Sequence, residues 1–182
     1  NNSNNTIDLI YEIDLGERAF IKKISFIGDK KIKENKLRKV IVSEEAKFWK
    51  FISNKKFLDI NRVKLDQNLL YNFYKNKGYY DISIDSSSAK IINQTDFELI
   101  FNINAGQKYY FDNVDLSIPQ DYSIESFDKI IDTMNELKGE VYSLDKIKKI
   151  LNKIDEIALT KEFEFINATY EETTNNNKIN LV

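Results

Sequence analysis

Apolar and polar residues alternate along two stretches of the chain that share one plan. Residues 7–15 carry Ile, Leu, Tyr, Ile and Leu at every second position, and residues 97–105 carry Phe, Leu, Phe, Ile and Ala in the same way. Each stretch leads into a glycine, Gly16 or Gly106, so the copies are offset by 106 − 16 = 90 residues. Alternation of this length predicts a strand with one buried face. The offset predicts tandem modules, each closing with this strand and turning into the next.

Between these strands, apolar residues recur at the spacing of an α-helix. Residues 33–42 are a short helix candidate, and a longer amphipathic stretch begins at Asp59, whose side chain can cap it, and stops at Gly78. The second copy repeats the pair, with predicted caps at Ser123 and Ser143. Each module therefore has the order strand, helix, helix, strand, strand. This order predicts an α+β fold in which a three-stranded mixed sheet packs on two helices.

The strands within a module are expected to take different places in the sheet. Residues 97–105 have the most complete buried face, so we place them at the centre, and we place residues 80–88 at an edge. In the second module, the alternating Phe163, Phe165 and Ala168 predict the corresponding edge strand.

The predicted edge of the first module is a candidate binding site. A sheet edge presents unpaired amide and carbonyl groups, which accept an added strand without demanding one side-chain sequence. The alternative is an ordinary edge strand that binds nothing. The candidate residues are Tyr80, Asp81, Ile82, Ser83, Ile84, Asp85 and Ser86.

A second candidate surface lies in the long connection between the two helices of the first module. It contains Phe48, Trp49 and Phe51 among charged and amide side chains. Two interpretations stay open. The segment is either a flap that packs over the core of its own module or a partly exposed aromatic patch for a partner.

Composition removes several functional classes. The 182 residues have a net charge of −2 with scattered Lys and Arg, which argues against a nucleic-acid surface. The absence of Cys and His excludes disulfides, thiolate metal sites and histidine-activated nucleophiles. Carboxylate pairs such as Asp112/Asp115 and Asp155/Glu156 have no supporting chemistry and are interpreted as solvated surface. The sequence therefore predicts neither an enzyme nor a cofactor, and no apolar run is long enough to predict a membrane-spanning helix.

Several segments together resemble the POTRA (polypeptide-transport-associated) domain. The second helix ends in the pattern Leu-Leu-x-x-Phe-Tyr-x-x-x-Gly-Tyr at residues 69–79. The Ile-Ser-Phe-Ile-Gly-Asp of residues 24–29 is similar to the junctions between POTRA modules in BamA-type outer-membrane assembly proteins. The steps at residues 106–109 and 139–142 are similar to that family as well. Their order resembles the third and fourth of its five modules.

The resemblance implies a division of the chain into modules. Residues 1–18 would be the last strand of a preceding module, residues 19–107 the third module of the family, and residues 108–182 the fourth, with its last strand truncated. The short junctions imply coupled modules with limited hinge freedom. The predicted hinge residues are Gly16, Glu17, Arg18, Gly106, Gln107 and Lys108.

The resemblance also implies a role. BamA-type POTRA modules form the periplasmic portion of an outer-membrane protein, whose membrane barrel follows in the same parent chain. The expected function is a non-catalytic scaffold that binds unfolded outer-membrane β-barrel proteins and accessory assembly lipoproteins by β-augmentation and through helix and sheet surfaces. No nucleic acid is expected as a partner. The alternatives are a POTRA pair from a two-partner secretion pore, a TamA-type transporter or an organelle import pore, and a purely structural spacer.

Overall fold

A computed structural model describes residues 18–47, 53–119, 122–161, 163 and 167–182 of the chain, without the side chains of residues 85–88. Within these ranges, helices and strands form two three-stranded sheets, each backed by helices. None of the helices in the described ranges has the length and apolar character that spanning a bilayer requires.

The first sheet contains β1 (Phe20–Asp29), β2 (Ser83–Ile91) and β3 (Asp96–Asn104) in the spatial order β1-β3-β2. Strand β1 is parallel to β3, and β2 is antiparallel to it. Helices α1 (Glu34–Leu37) and α2 (Ile60–Lys75) complete what we call the first module. The central position predicted for residues 97–105 is confirmed.

The second sheet repeats this plan in shorter form. It contains β4 (Tyr110–Val114), β5 (Glu172–Asn175) and β6 (Lys178–Leu181) in the order β4-β6-β5, with β4 parallel and β5 antiparallel to β6. Helices α3 (Asp128–Asn135) and α4 (Leu144–Thr160) complete the second module. Single 3₁₀ turns at Asn54–Lys56 and Ile124–Phe127 precede α2 and α3. The predicted α+β fold, with the order strand, helix, helix, strand, strand, is confirmed.

Each module has its own core between one face of its sheet and its helices. Burial of these apolar side chains is the main stabilising contribution to each module. In the first module the core is built around Phe26, Phe101, Leu99, Leu70 and Tyr74; in the second it is built around Phe111, Phe127, Ile147, Tyr142 and Ile179. The apolar face of the amphipathic stretch that forms α2 is not buried throughout, since Leu65 is 46% exposed.

Two predicted elements are wrong in extent or position. The first helix spans only Glu34–Leu37 instead of residues 33–42. The edge strand predicted at residues 163–168 is β5, Glu172–Asn175, because a two-residue turn with Asn176 in the left-handed region (φ 55°) brings that segment alongside β6. Phe163 instead packs against the second core. Phe165 lies outside the described residues.

A buried carboxylate ties the loop after α1 to helix α2. Asp66 is fully buried and accepts hydrogen bonds from the backbone N–H groups of Val42 and Ser43, the latter at 3.2 Å. Because Ser43 is buried and Val42 is half-buried, water replaces the carboxylate poorly at these amides, and the bonds fix the path of the chain toward β1.

We expect Asp66→Ala to lower the free energy of unfolding by about 2–4 kcal/mol, because one buried and one half-buried amide lose their acceptor. Asp59→Ala is the matched control on the same helix. Asp59 accepts the N–H of Arg62 at 2.9 Å, which confirms the predicted cap, but it is exposed, so its loss should cost less stability than the loss of Asp66. Urea denaturation followed by circular dichroism measures both, and equal losses would contradict the role of Asp66.

Candidate binding edge and inter-module joint

The outer edge of β1 is covered by the chain that connects α1 to α2. Backbone N–H groups of Ala46 and Leu58 donate to the carbonyls of Ile21 and Ala19 at 2.7 and 2.8 Å. Phe20 also forms an isolated bridge with Phe57, and their rings lie 5.1 Å apart. The strand therefore already has a partner along much of this edge.

An ion pair completes the cover over β1. The Glu45 carboxylate accepts the N–H of Ile24 at 3.0 Å, and the Arg38 guanidinium donates to the carbonyl of Ile24. Arg38 and Glu45 also bind each other at 2.8 Å. Burial opposes ionisation of Glu45, but the hydrogen bonds from Ile24 and Arg38 outweigh it and hold the pKa of this carboxyl below its usual value. Two side chains thus satisfy backbone groups that a neighbouring strand would otherwise bind.

The outer edge of β2 differs from that of β1. Strand β2 pairs only with β3 in the sheet, and no segment of the described ranges lies along its other side. The strand is nine residues long and has a register shift between Ile84 and Ser86. It therefore presents the longer open edge of the two described sheets.

The second module repeats this asymmetry. Residues 139–142 close the outer edge of β4, since Gly139 N donates to Phe111 O at 2.8 Å and Phe111 N donates to Glu140 O at 2.9 Å. Strand β5, with four residues, is the open edge in this sheet. In both modules, one edge is closed by the chain, and no described segment pairs with the other.

The structure places only part of the predicted edge set in the strand. Ser83 and Ile84 are its first residues, and Asp85 and Ser86 follow, with side chains that are not described. Tyr80 and Asp81 belong to the preceding turn, and Ile82, 5% exposed, belongs to the first core. Their assignment to the strand is wrong because this turn is held by contacts with the second module.

Other predicted residues lie at the ends of the described ranges or beyond them. Phe48, Trp49 and Phe51 of the aromatic patch, Gly16 and Glu17 of the first hinge, and the strand predicted at residues 7–15 are outside the described residues. The guanidinium of Arg18 lies 5.0 Å from the ring centroid of Phe57. Gly106, at φ +67°, and Gln107 and Lys108 lie in the short connection between β3 and β4.

Aromatic rings join the two modules. The ring of Tyr80 lies 5.3 Å from that of Tyr109 and 5.1 Å from that of Tyr142, and the second pair is perpendicular. The ammonium of Lys75 lies 3.8 Å from the centroid of Tyr80 and 5.6 Å from that of Tyr142. Because Lys75 is 9% exposed, this partly desolvated cation–π contact adds to the packing.

A side chain of the first module also caps a helix of the second. The amide oxygen of Asn76 accepts the N–H of Asp145 at 2.8 Å and the hydroxyl of Ser143 at 3.3 Å. Ser143 occupies the cap position of α4 but makes no capping bond with its own side chain, and neither does Ser123 before its turn. Both predicted caps are wrong in this respect, because at α4 the acceptor comes from another module.

Two further hydrogen bonds complete this contact, which we call the joint. Tyr109 N donates to Gly78 O at 2.8 Å, and the Tyr109 hydroxyl donates to the carboxylate of Asp81. The hydrogen bond to Asp81 is the first cause that raises the pKa of Tyr109. Of the joint, sequence reasoning named the covalent linker and residues 139–142. It missed the contacts of Lys75 with Tyr142 and of Asn76 with Asp145, which join residues about 70 positions apart.

Comparisons with known proteins place these features in context. The family described as POTRA, surface antigen variable number repeat, matches residues 19–106. The outer membrane protein assembly factor BamA of Neorickettsia risticii is 22% identical over 145 residues, which cover 80% of this chain and 19% of that protein. A putative outer membrane protein assembly factor of Treponema pallidum is 24% identical over 120 residues, covering 63% of this chain and 14% of that protein. The chain therefore spans a small part of these relatives.

Solved structures share the fold. The crystal structure of POTRA3-5 of BamA from Haemophilus influenzae superposes with a TM-score of 0.72 and 13% identity, covering 91% of this chain and 65% of that one. BamA from Haemophilus ducreyi lacking POTRA domains 1-3 gives 0.55 with 10% identity, covering 90% and 28%. At these identities the similarity shows the fold alone.

Gly78→Ala tests how closely the modules are packed. At Gly78 (φ +91°) a Cβ atom would overlap Val141 Cγ1 of the second module. Gly139 has a similar φ of +80° but open space around it, so Gly139→Ala carries only the backbone cost of about 1 kcal/mol. We expect Gly78→Ala to be more destabilising and to increase the radius of gyration in small-angle X-ray scattering. Adding Val141→Ala should reverse part of this change, and equal behaviour of the two single variants would contradict a tight joint.

The joint should also weaken at high pH. Burial, with a contribution from nearby Glu172, raises the pKa of Tyr80 to about 12 from an ordinary value of 10.0. Because the unfolded chain ionises first, the stability that this hydroxyl contributes is complete below about pH 10 and is lost as the pH rises through about 12. Tyr80→Phe should therefore reduce the fall in unfolding free energy between pH 10 and 12 by up to about 1.4 kcal/mol per pH unit. Urea denaturation across this range measures it, and parallel curves for both proteins would contradict the assignment.

Proposed function

The chain carries POTRA domains of the BamA type, and from that premise we propose that it is a non-catalytic scaffold which binds unfolded outer-membrane β-barrel proteins by strand addition to the outer edge of β2. The observation that carries the proposal is the difference between the two edges of the first sheet. The edge of β1 is closed by a loop and by Arg38 and Glu45, whereas β2 lies open along nine residues.

Strand addition suits this edge for a physical reason. An added strand would bind through main-chain N–H and C=O groups, so its affinity does not require one side-chain sequence. A nine-residue strand is about 30 Å long, whereas the four residues of β5 offer less than half of that ladder. We therefore assign client binding to β2 in preference to β5.

The same strand carries features that limit uncontrolled pairing. The register shift between Ile84 and Ser86 interrupts the regular ladder, and Lys90 places an exposed charge near the far end. Bulges and edge lysines are common means by which proteins protect open edges from aggregation. Such an edge favours an extended segment that can adapt to the bulge over another rigid sheet.

The remaining assignments rest on the family. We propose that residues 19–107 and 108–182 are the third and fourth modules of a periplasmic series, and that residues 1–18 end the second. Accessory assembly lipoproteins and a membrane barrel in the same parent chain are the further proposed partners. Support comes from the relatives, which are named outer membrane protein assembly factors. The aromatic segment with Phe48, Trp49 and Phe51 remains a candidate contact for one of these partners.

A peptide titration tests the proposal. The probe is a ten-residue peptide of alternating Phe and Thr, and its control carries N-methyl groups on alternate amides, which cannot donate to a ladder. We expect the first peptide to shift the backbone NMR signals of β2 and the methylated peptide to bind at least tenfold more weakly. Shifts confined to other surfaces, or none at all, would favour a spacer that binds nothing at this edge.

Proline substitution is the matching test on the protein. Ala89→Pro removes one outward-facing N–H from β2, so we expect it to weaken peptide binding severalfold while circular dichroism shows the fold retained. Thr174→Pro makes the same change at the outward-facing side of β5 and should leave binding unchanged. Equal weakening by both variants would argue against β2 as the site.

A further inference from the structure

We infer that the joint positions the start of the open edge, so that the second module controls how well β2 accepts an added strand, through the hydrogen bond between Tyr109 and Asp81. This inference rests on the proposed function. It identifies Tyr109 and Asp81 as positioning residues for binding at β2, although neither lies in the strand.

The joint lies only a short distance along the chain from the open edge. Asp81 precedes the first residue of β2, Ser83, by only two positions. Only Ile82, which is buried in the first core at 5% exposure, lies between Asp81 and the strand. Backbone bonds from Tyr80 N to Gly78 O and from Ile82 N to Tyr79 O hold the turn together.

Asp81 itself is held by a residue of the second module. Its side chain is exposed, so burial does not determine its position. The hydroxyl of Tyr109 donates to its carboxylate, and the backbone N–H of the same residue donates to Gly78 O at 2.8 Å. One residue at the start of the second module thus binds both ends of the turn from which β2 emerges.

Pairing with β3 gives the start of β2 only weak support. Ser83 and Ile84 pair with Asn104 and Ile103 of β3, but the register shift that follows separates these two pairs from the rest of the ladder. Two isolated pairs beside a bulge are more easily opened than a continuous ladder. The start of β2 therefore depends on the joint for its order.

The open edge of the second module begins at the same place. Glu172, the first residue of β5, accepts the hydroxyl of Tyr142 at 2.9 Å, and Tyr142 packs against Tyr80. Both open edges thus start at one aromatic contact between modules. Because an added strand must order the edge that it joins, and the joint has already ordered part of it, the two should be thermodynamically coupled.

Hydrogen exchange in the 182-residue chain tests the inference without any ligand. Tyr109→Phe keeps the ring against Tyr80 and removes only the hydroxyl, so we expect exchange at the amide of Ser83, which pairs with Asn104 of β3, to accelerate about threefold. The matched control is Tyr110→Phe, the same change one residue along, at a side chain that is 36% exposed. Exchange from Ala89 to Ile91 should stay unchanged in both variants.

A second pair of variants separates positioning from a general loss of stability. Asp81→Ala removes the acceptor and should resemble Tyr109→Phe. Asp81→Asn keeps a carbonyl acceptor, so backbone amide exchange at the start of β2 should stay close to the wild-type rate in this variant. Equal rates for Tyr109→Phe and Tyr110→Phe, or equal acceleration by both Asp81 variants, would overturn the inference.

The alternating Phe and Thr peptide then reports whether the order of the edge matters for binding. We expect Tyr109→Phe and Asp81→Ala to weaken its binding about threefold, with Tyr110→Phe and Asp81→Asn unchanged. Binding of equal strength in all variants would overturn control by the joint and leave the proposed function intact. Altered exchange in a chain that binds no peptide would support the positioning role of the joint and count against the proposed function.

Discussion

Both sheets depend on the same constraint, which is that backbone hydrogen-bonding groups at a sheet edge must find partners. The chain meets it on one side of each sheet only. A loop with the Arg38–Glu45 pair closes β1, and residues 139–142 close β4. Since a three-stranded sheet has only two edges, closing one leaves a single defined place where another strand can add. This asymmetry is the basis of the binding site that we propose at β2.

The joint between the modules uses contacts of several kinds, each too weak to hold the modules alone. Ring packing around Tyr80, the cation of Lys75 and the cap that Asn76 supplies to α4 act at neighbouring positions. Exposed hydrogen bonds and aromatic pairs each contribute about 1 kcal/mol, so their combination at one place matters more than any one of them.

Edge and joint lie next to each other in the first module. The turn at residues 78–82 ends α2, makes the contacts with Tyr109 and leads directly into β2. Under the proposed function, strand addition on one module would therefore influence the arrangement of the next. The bulge after Ile84 makes the start of the strand the part most open to such influence.

The sequence by itself determined the order of elements, the central place of residues 97–105 and the cap at Asp59, since alternation, helical spacing and capping are local patterns. It also indicated β2 as an edge, though three residues too early. Only the tertiary structure decided that β1 is closed and β2 open, that Asn76 caps α4 in place of Ser143, and that Tyr80 and Asp81 belong to the joint. The physical reason is distance along the chain: the partners of these groups lie tens of residues away, and which of them meet is settled by how the sheets and helices pack.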